Sequence, residues 1–207
     1  MSRTEAEASP RPASPILYDT QTSGAPQRAA TDGPPTSQRH PYEVLHTGNT
    51  DLVAYLGPCL IIVSHTMTPA GVDAIGRGFA KLVARHERVC SISFVERRAG
   101  SGSSAEVREM LAQVARKYTK SMTGAAVVCE GTGFRATAVR SVVTAIHMAS
   151  RASHPVKVFS CVEAGLEWLA STPVDGFDRP LLAEATATLR ERLLAKATAA
   201  TGASSGG

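Results

Sequence analysis

Two hydrophobic spacings take turns along this chain. Leu60-Ile61-Ile62-Val63 is an unbroken apolar run, the mark of a strand covered on both faces, whereas Val72, Ile75, Phe79, Leu82 and Val83 return every three or four positions, the mark of one helix face. Residues 42–47 and 52–56 read as short strands around the turn signal Gly48-Asn49-Thr50-Asp51, and residues 59–65 as a third strand. Thr68 supplies an N-cap and Pro69 a first helical position for a helix reaching Arg85. Residues 89–96 form the next strand. Ser103 with Glu106 makes a capping box, opening a helix whose apolar face is Val107, Met110, Leu111, Val114 and Tyr118. The pattern then repeats: a strand at 125–129, a helix marked by Val139, Val142, Val143 and Ile146, a strand at 156–159, and a short helix opened by Ser160 and Glu163.

Such an order needs parallel crossovers, since each helical stretch is long enough to carry the chain back across a sheet. The expected fold is therefore α/β: a mixed, mostly parallel sheet with about four packed helices over residues 42–176. Residues 177–200 add a C-terminal helix with Leu182, Leu189 and Leu193 on one side, packed on the domain or offered to a second copy as a route to a homo-oligomer. Seven of the twelve prolines fall in residues 1–41, beside a single apolar island at Ile16-Leu17-Tyr18. That segment cannot repay its ordering entropy and is expected to be a disordered tail, as is 201–207.

Charge narrows the function classes. The formal net charge of +4 is spread along the chain, with four basic and four acidic groups in residues 1–41 alone, so no segment is strongly basic, which disfavours nucleic acid. The longest purely aliphatic run is four residues, far short of a membrane span, and the N-terminus has no apolar signal region, so a cytoplasmic protein is expected. Cys59, Cys90, Cys129 and Cys161 stand far apart without a C-x-x-C pair, which fits free thiols. Neither histidine spacing nor any nucleophile motif announces an enzyme, a metal site or a cofactor.

The element order, together with the ending VKVFSCVEAGLEWL, resembles the bacterial STAS superfamily, the fold of anti-sigma-factor antagonists, over residues 42–172. The resemblance implies a non-enzymatic module that binds a protein partner in bacterial signalling. In the regulatory members a kinase phosphorylates a serine at the start of the second helix. Within Arg97-Arg-Ala-Gly-Ser-Gly-Ser-Ser-Ala105, the positions that inherit this role are Ser103 and Ser104. A phosphate there would meet unpaired amides and the helix dipole, with Arg97 and Arg98 as partners, giving a phosphorylation-controlled switch.

Three further groups are candidates. On the third helix Arg140, Thr144, His147 and Arg151 share one side, a basic stripe that would suit an acidic protein partner. The stretch AAVVCEGTGFRATAVR contains G-x-G-x-x-A between a strand and a helix, which is how a dinucleotide fingerprint looks. It comes on a late strand, however, and the next strand carries no carboxylate to hold a ribose. A glycine turn with a modest anion site at Gly131, Thr132, Gly133 and Arg135 is the reading, and it carries the alternative function of a small-ligand or nucleotide-binding protein. Finally, His65, Glu96 and Glu130 end three strands and would rim the carboxyl edge of the sheet, where ligands bind in open α/β folds.

Overall fold

The computed structural model describes residues 41–96, 103–130 and 134–203. Three strands open the fold, β1 (Glu43–Thr47), β2 (Asp51–Leu56) and β3 (Cys59–Ser64), followed by α1 (Pro69–Val83) and β4 (Val89–Val95). Then come α2 (Ala105–Tyr118), β5 (Met122–Val128), α3 (Phe134–Ser150), β6 (Val156–Phe159), α4 (Val162–Ala170) and α5 (Arg179–Ala203). All six strands join one sheet in the order of the chain. β1, β2 and β3 form an antiparallel meander, and β3 to β6 run parallel. The α/β expectation holds, with a mixed and mostly parallel sheet.

Sequential order has a consequence for the layers. Crossovers between neighbouring parallel strands are right-handed, so three of them stepping in one direction put all three helices on one face. α1 and α2 accordingly bury Val72, Ile75, Phe79, Leu82 and Val107 against Val53, Leu60 and Ile62. The opposite face carries Leu52, Ala54, Ile61, Val63, Ile92, Phe94 and Val128, and it is covered by α4 and α5 through Leu166, Leu169, Leu182, Leu189 and Leu193. Strand parity sorts these residues: Leu60 and Ile62 look one way, Ile61 and Val63 the other. The leucine side of α5 is thus spent on the sheet. Asp178 caps this helix, its Oδ1 accepting the Leu181 N–H at 3.0 Å.

Helix starts follow the sequence in part. Thr68 caps α1 as expected, its Oγ1 accepting the Gly71 N–H at 3.1 Å, with Pro69 at the first position. α2 is capped by Ser104, whose Oγ accepts the Val107 N–H at 3.2 Å, so the expected Ser103–Glu106 capping box does not form. With Ala105 as first helical residue, the amide three positions past the cap belongs to Val107 and not to Glu106. α4 begins after Cys161 without any side-chain cap, so the Ser160–Glu163 box is also absent. α5 extends to Ala203, three residues beyond the expected end. The tail expected over 1–41 falls, up to residue 40, outside the described residues, as do 204–207.

The only tryptophan packs half-buried against the core. Trp168 on α4 meets the Phe159 ring at 5.6 Å between centroids and lies over Gly124, where a Cβ would come within 2.9 Å of the indole. The four cysteines are free, with Cys59, Cys90 and Cys129 buried and Cys161 exposed. Burial, reinforced by neighbouring Cys90, pushes the Cys59 thiol well above the ordinary range. Thiolate is the reactive form. In the native protein a thiol reagent is therefore expected to label Cys161 quickly and the other three only on unfolding. Rapid native labelling of Cys59, read by mass spectrometry of peptides, would show that this end of the sheet opens.

Candidate functional site

On the helical face the floor changes character from β3 to β5. Under α1 it is made of Leu60 and Ile62, but under α3 it is made of Ser91, Ser93, Ala125 and Val127. The roof there is equally short, because the inner side of α3 presents Val139, Val142, Val143 and Ile146. Short side chains facing short side chains do not meet across the usual spacing of a helix on a sheet, and interiors otherwise fill such gaps. α3 packs on α2, while its valines remain only half-buried. Between α3 and the sheet lies a chamber of about 440 Å³.

Apart from Ser91 and Ser93 on its floor, the polar groups of the chamber stand towards its ends. His65 follows β3 at the carboxyl edge of the sheet, is only 8% exposed, and has neither ring nitrogen hydrogen-bonded. Ser64, Ser93 and Ser103 line the chamber with it. His154 precedes β6, which puts it at the amino edge, and its Nδ1 lies 3.3 Å from Thr119 Oγ1. His147 from α3 meets His154 edge to face at 6.0 Å between ring centroids, and its buried Nδ1 has no partner. Burial first, then the neighbouring His147, pushes the His154 imidazole below the ordinary histidine range, so His154 favours the neutral form. Among the described residues, no Asp, Glu, Lys or Arg lines the chamber. A buried imidazole without a hydrogen bond carries a desolvation cost that a suitable guest would relieve.

The residues anticipated from the sequence are distributed differently from the rim first expected. His65 turns to the helical face, whereas Glu96 and Glu130 belong to the opposite face with α5. There Arg190 donates from Nε to Glu96 Oε1 at 2.6 Å and from Nη2 to Glu130 Oε2 at 2.9 Å, with its guanidinium 5.2 Å from the Phe94 ring centre. The two carboxylates, Glu130 first, hold the guanidinium's pKa up against the opposing effect of burial. Sequence reasoning missed Arg190, although it stands four residues after the buried Thr186 and three before the buried Leu193, on the covered side of α5.

The basic stripe on α3 is also divided. Arg140 and Thr144 are exposed, Arg151 is exposed just past the helix end with φ of 50°, and His147 points into the chamber. Ser104 is engaged as the cap of α2, and the Ser103 carbonyl accepts from Arg108 Nη1 at 2.5 Å. Arg97 and Arg98, the turn Gly131, Thr132 and Gly133, and the side chain of Arg135 lie outside the described residues.

A separate polar cluster ties β2 to α1. Buried Asp51 accepts the Thr68 N–H at 2.9 Å and the Thr68 hydroxyl at 2.6 Å, and its other oxygen is 3.1 Å from His46 Nε2. Gly71 makes room for that carboxylate, which occupies the place of a Cβ. All of its hydrogen bonds stay within the fold, so the cluster reads as a fastening of helix to sheet. Among the described residues no group of His, Cys, Asp or Glu is arranged to hold a metal ion, and no helix is long and apolar enough to cross a membrane. No family model, no curated protein and no solved structure matches the chain.

Proposed function

We propose that this domain binds a small apolar molecule in the chamber beneath α3. The observation that carries this reading is a cavity of about 440 Å³ lined mostly by apolar side chains, from the valines of α3 to Phe79 of α1 and Leu111 of α2, with unpaired imidazole nitrogens on its surface. Small-molecule sites are concave and mostly apolar, with a few converging polar groups, and they fall in this size range. Since a water occupies about 30 Å³, the chamber has room for a ligand of on the order of 15 non-hydrogen atoms. A nucleotide is a poor fit. Its phosphates would enter a chamber that lacks any Lys or Arg among the described residues.

The order of elements from β1 to α4 supports the likeness to the STAS superfamily and, through it, a protein-binding role for the exposed Arg140, Thr144 and Arg151. That support is weaker than the chamber's, because water alone selects a charged outer face on any such helix.

The test uses N-phenyl-1-naphthylamine, an uncharged dye that brightens in apolar surroundings, with the full chain. Wild type is expected to bind the dye saturably. Ser91 lies on the floor of the chamber and is 4% exposed, so Ser91→Leu adds bulk where the ligand would lie. This variant is expected to weaken the dye about tenfold while raising stability by roughly 1 kcal/mol, since it fills a void with an apolar group. Failure of the wild type to bind, or unchanged binding by Ser91→Leu, would defeat the reading.

A further inference from the structure

The identity of the polar groups narrows the guest further, on the premise that the chamber binds a small molecule at all. At the carboxyl edge of the sheet the chamber offers His65, with both ring nitrogens unpartnered, and Ser64 and Ser103, with Ser93 further in, level with Ile62. These groups donate hydrogen bonds, and the imidazole can also accept one or take a proton. Between this end and the amino edge, where His154 stands, the walls are apolar apart from Ser91 and Ser93 on the floor. Register sets the two ends apart along the strands: Ser64 is level with Val95, and Ser91 with Ala125 and Val156, so about four strand residues, or roughly 13 Å, separate these levels, with His65 and His154 beyond them. The space is longer than a single ring and has its strongest unmet polar demand at one end.

We infer that the ligand is an aliphatic carboxylic acid, its carboxyl group held at His65 with the neighbouring serine hydroxyls and its chain lying between the valines of α3 and the sheet. Proton balance favours this head group over its rivals. A carboxylic acid facing a neutral imidazole brings one proton to share. Whether that proton stays on the carboxyl oxygen or moves to a His65 ring nitrogen, forming an N–H bond as the O–H bond breaks, the pair carries no net charge into the chamber. A phosphate monoester would bring charge that one imidazole cannot balance, and an alkylammonium would find no carboxylate among the described lining residues. An ester or an alcohol would fit the walls but satisfy less of the histidine.

Displacement of bound N-phenyl-1-naphthylamine separates these possibilities. Decanoic acid is expected to displace the dye from the full chain at about one tenth of the concentration needed for methyl decanoate, decylamine or decyl phosphate, as the gain of one well-made hydrogen bond to a charged or proton-sharing partner implies. In His65→Leu the dye should still bind, whereas the advantage of the acid over its methyl ester should vanish. Wild-type protein gives a readout that needs no variant: the His65 ring resonances should move on adding decanoic acid and stay in place on adding the ester at equal occupancy. Equal displacement by acid and ester in the wild type, an acid preference that survives His65→Leu, or unmoved His65 resonances would overturn the carboxylic-acid assignment while leaving the chamber a binding site. Absence of dye binding to the wild type would remove both.

Discussion

A chain ending before Asp178 is expected not to fold. The lost helix, α5, covers β2 and β3 and buries Leu182, Leu189 and Leu193 almost completely against a face that also carries Leu52, Ile61 and Val63. Each fully buried leucine contributes about 1.5 to 3 kcal/mol, so the three together account for roughly 5 to 9 kcal/mol, as large as the net stability of an ordinary domain. The truncated chain would also expose a contiguous apolar sheet face, which favours aggregation. Far-ultraviolet circular dichroism and a thermal melt should show no cooperative transition, or the product should be insoluble. A milder change gives the same information in a soluble protein: Leu189→Ala should cost about 2 to 5 kcal/mol in urea unfolding, because it opens a cavity under a helix pinned at both ends. A cooperative melt of the truncated chain near the temperature of the full chain would mean that α5 is an appendage free to meet a partner or a second copy.

Much of this architecture is legible in the sequence because its two spacings are so distinct. The run Leu60-Ile61-Ile62-Val63 is apolar at every position, and the structure covers both of its faces, Leu60 and Ile62 with α1, Ile61 and Val63 with α5. Helix starts are read less well for a local reason. In Ser103-Ser104 only Ser103 has Glu106 three positions on, but either hydroxyl can serve as an N-cap, and the helix begins one residue later, with Ser104 Oγ accepting the Val107 amide. The chamber is invisible to periodicity. Val139, Val142, Val143 and Ile146 announce an inward face for α3, but spacing says nothing about whether their volumes fill the room above Ser91, Ser93 and Ala125. In the sequence His65 reads as a strand-end residue, and only the pleat decides that it enters this chamber while Glu96 and Glu130 go to the other side. Arg190 lies 94 and 60 residues from its two carboxylates, a pairing that depends on α5 crossing back over the sheet.

That pairing leads to the second large effect. Arg190→Met is expected to destabilise the protein by about 2 to 4 kcal/mol, although methionine can keep much of the apolar stem in place. Glu96 has a side chain only 8% exposed, so losing the guanidinium leaves one carboxylate desolvated beside a second, Glu130. The cost comes from two neighbouring carboxylates that lose the guanidinium they share. Arg190→Lys should therefore recover only part of the stability, since a single ammonium cannot repeat the forked contacts to both acids. Removing the charges together should recover more: the triple change Glu96→Gln, Glu130→Gln and Arg190→Met is expected to stand within about 1 kcal/mol of wild type, because the repulsion between the two carboxylates is removed along with the guanidinium. Urea unfolding of the singles, the pairs and the triple gives the coupling energy directly. If Arg190→Met costs less than about 0.5 kcal/mol, water screens this cluster as it does a surface pair, and the leucines alone fasten α5 to the sheet.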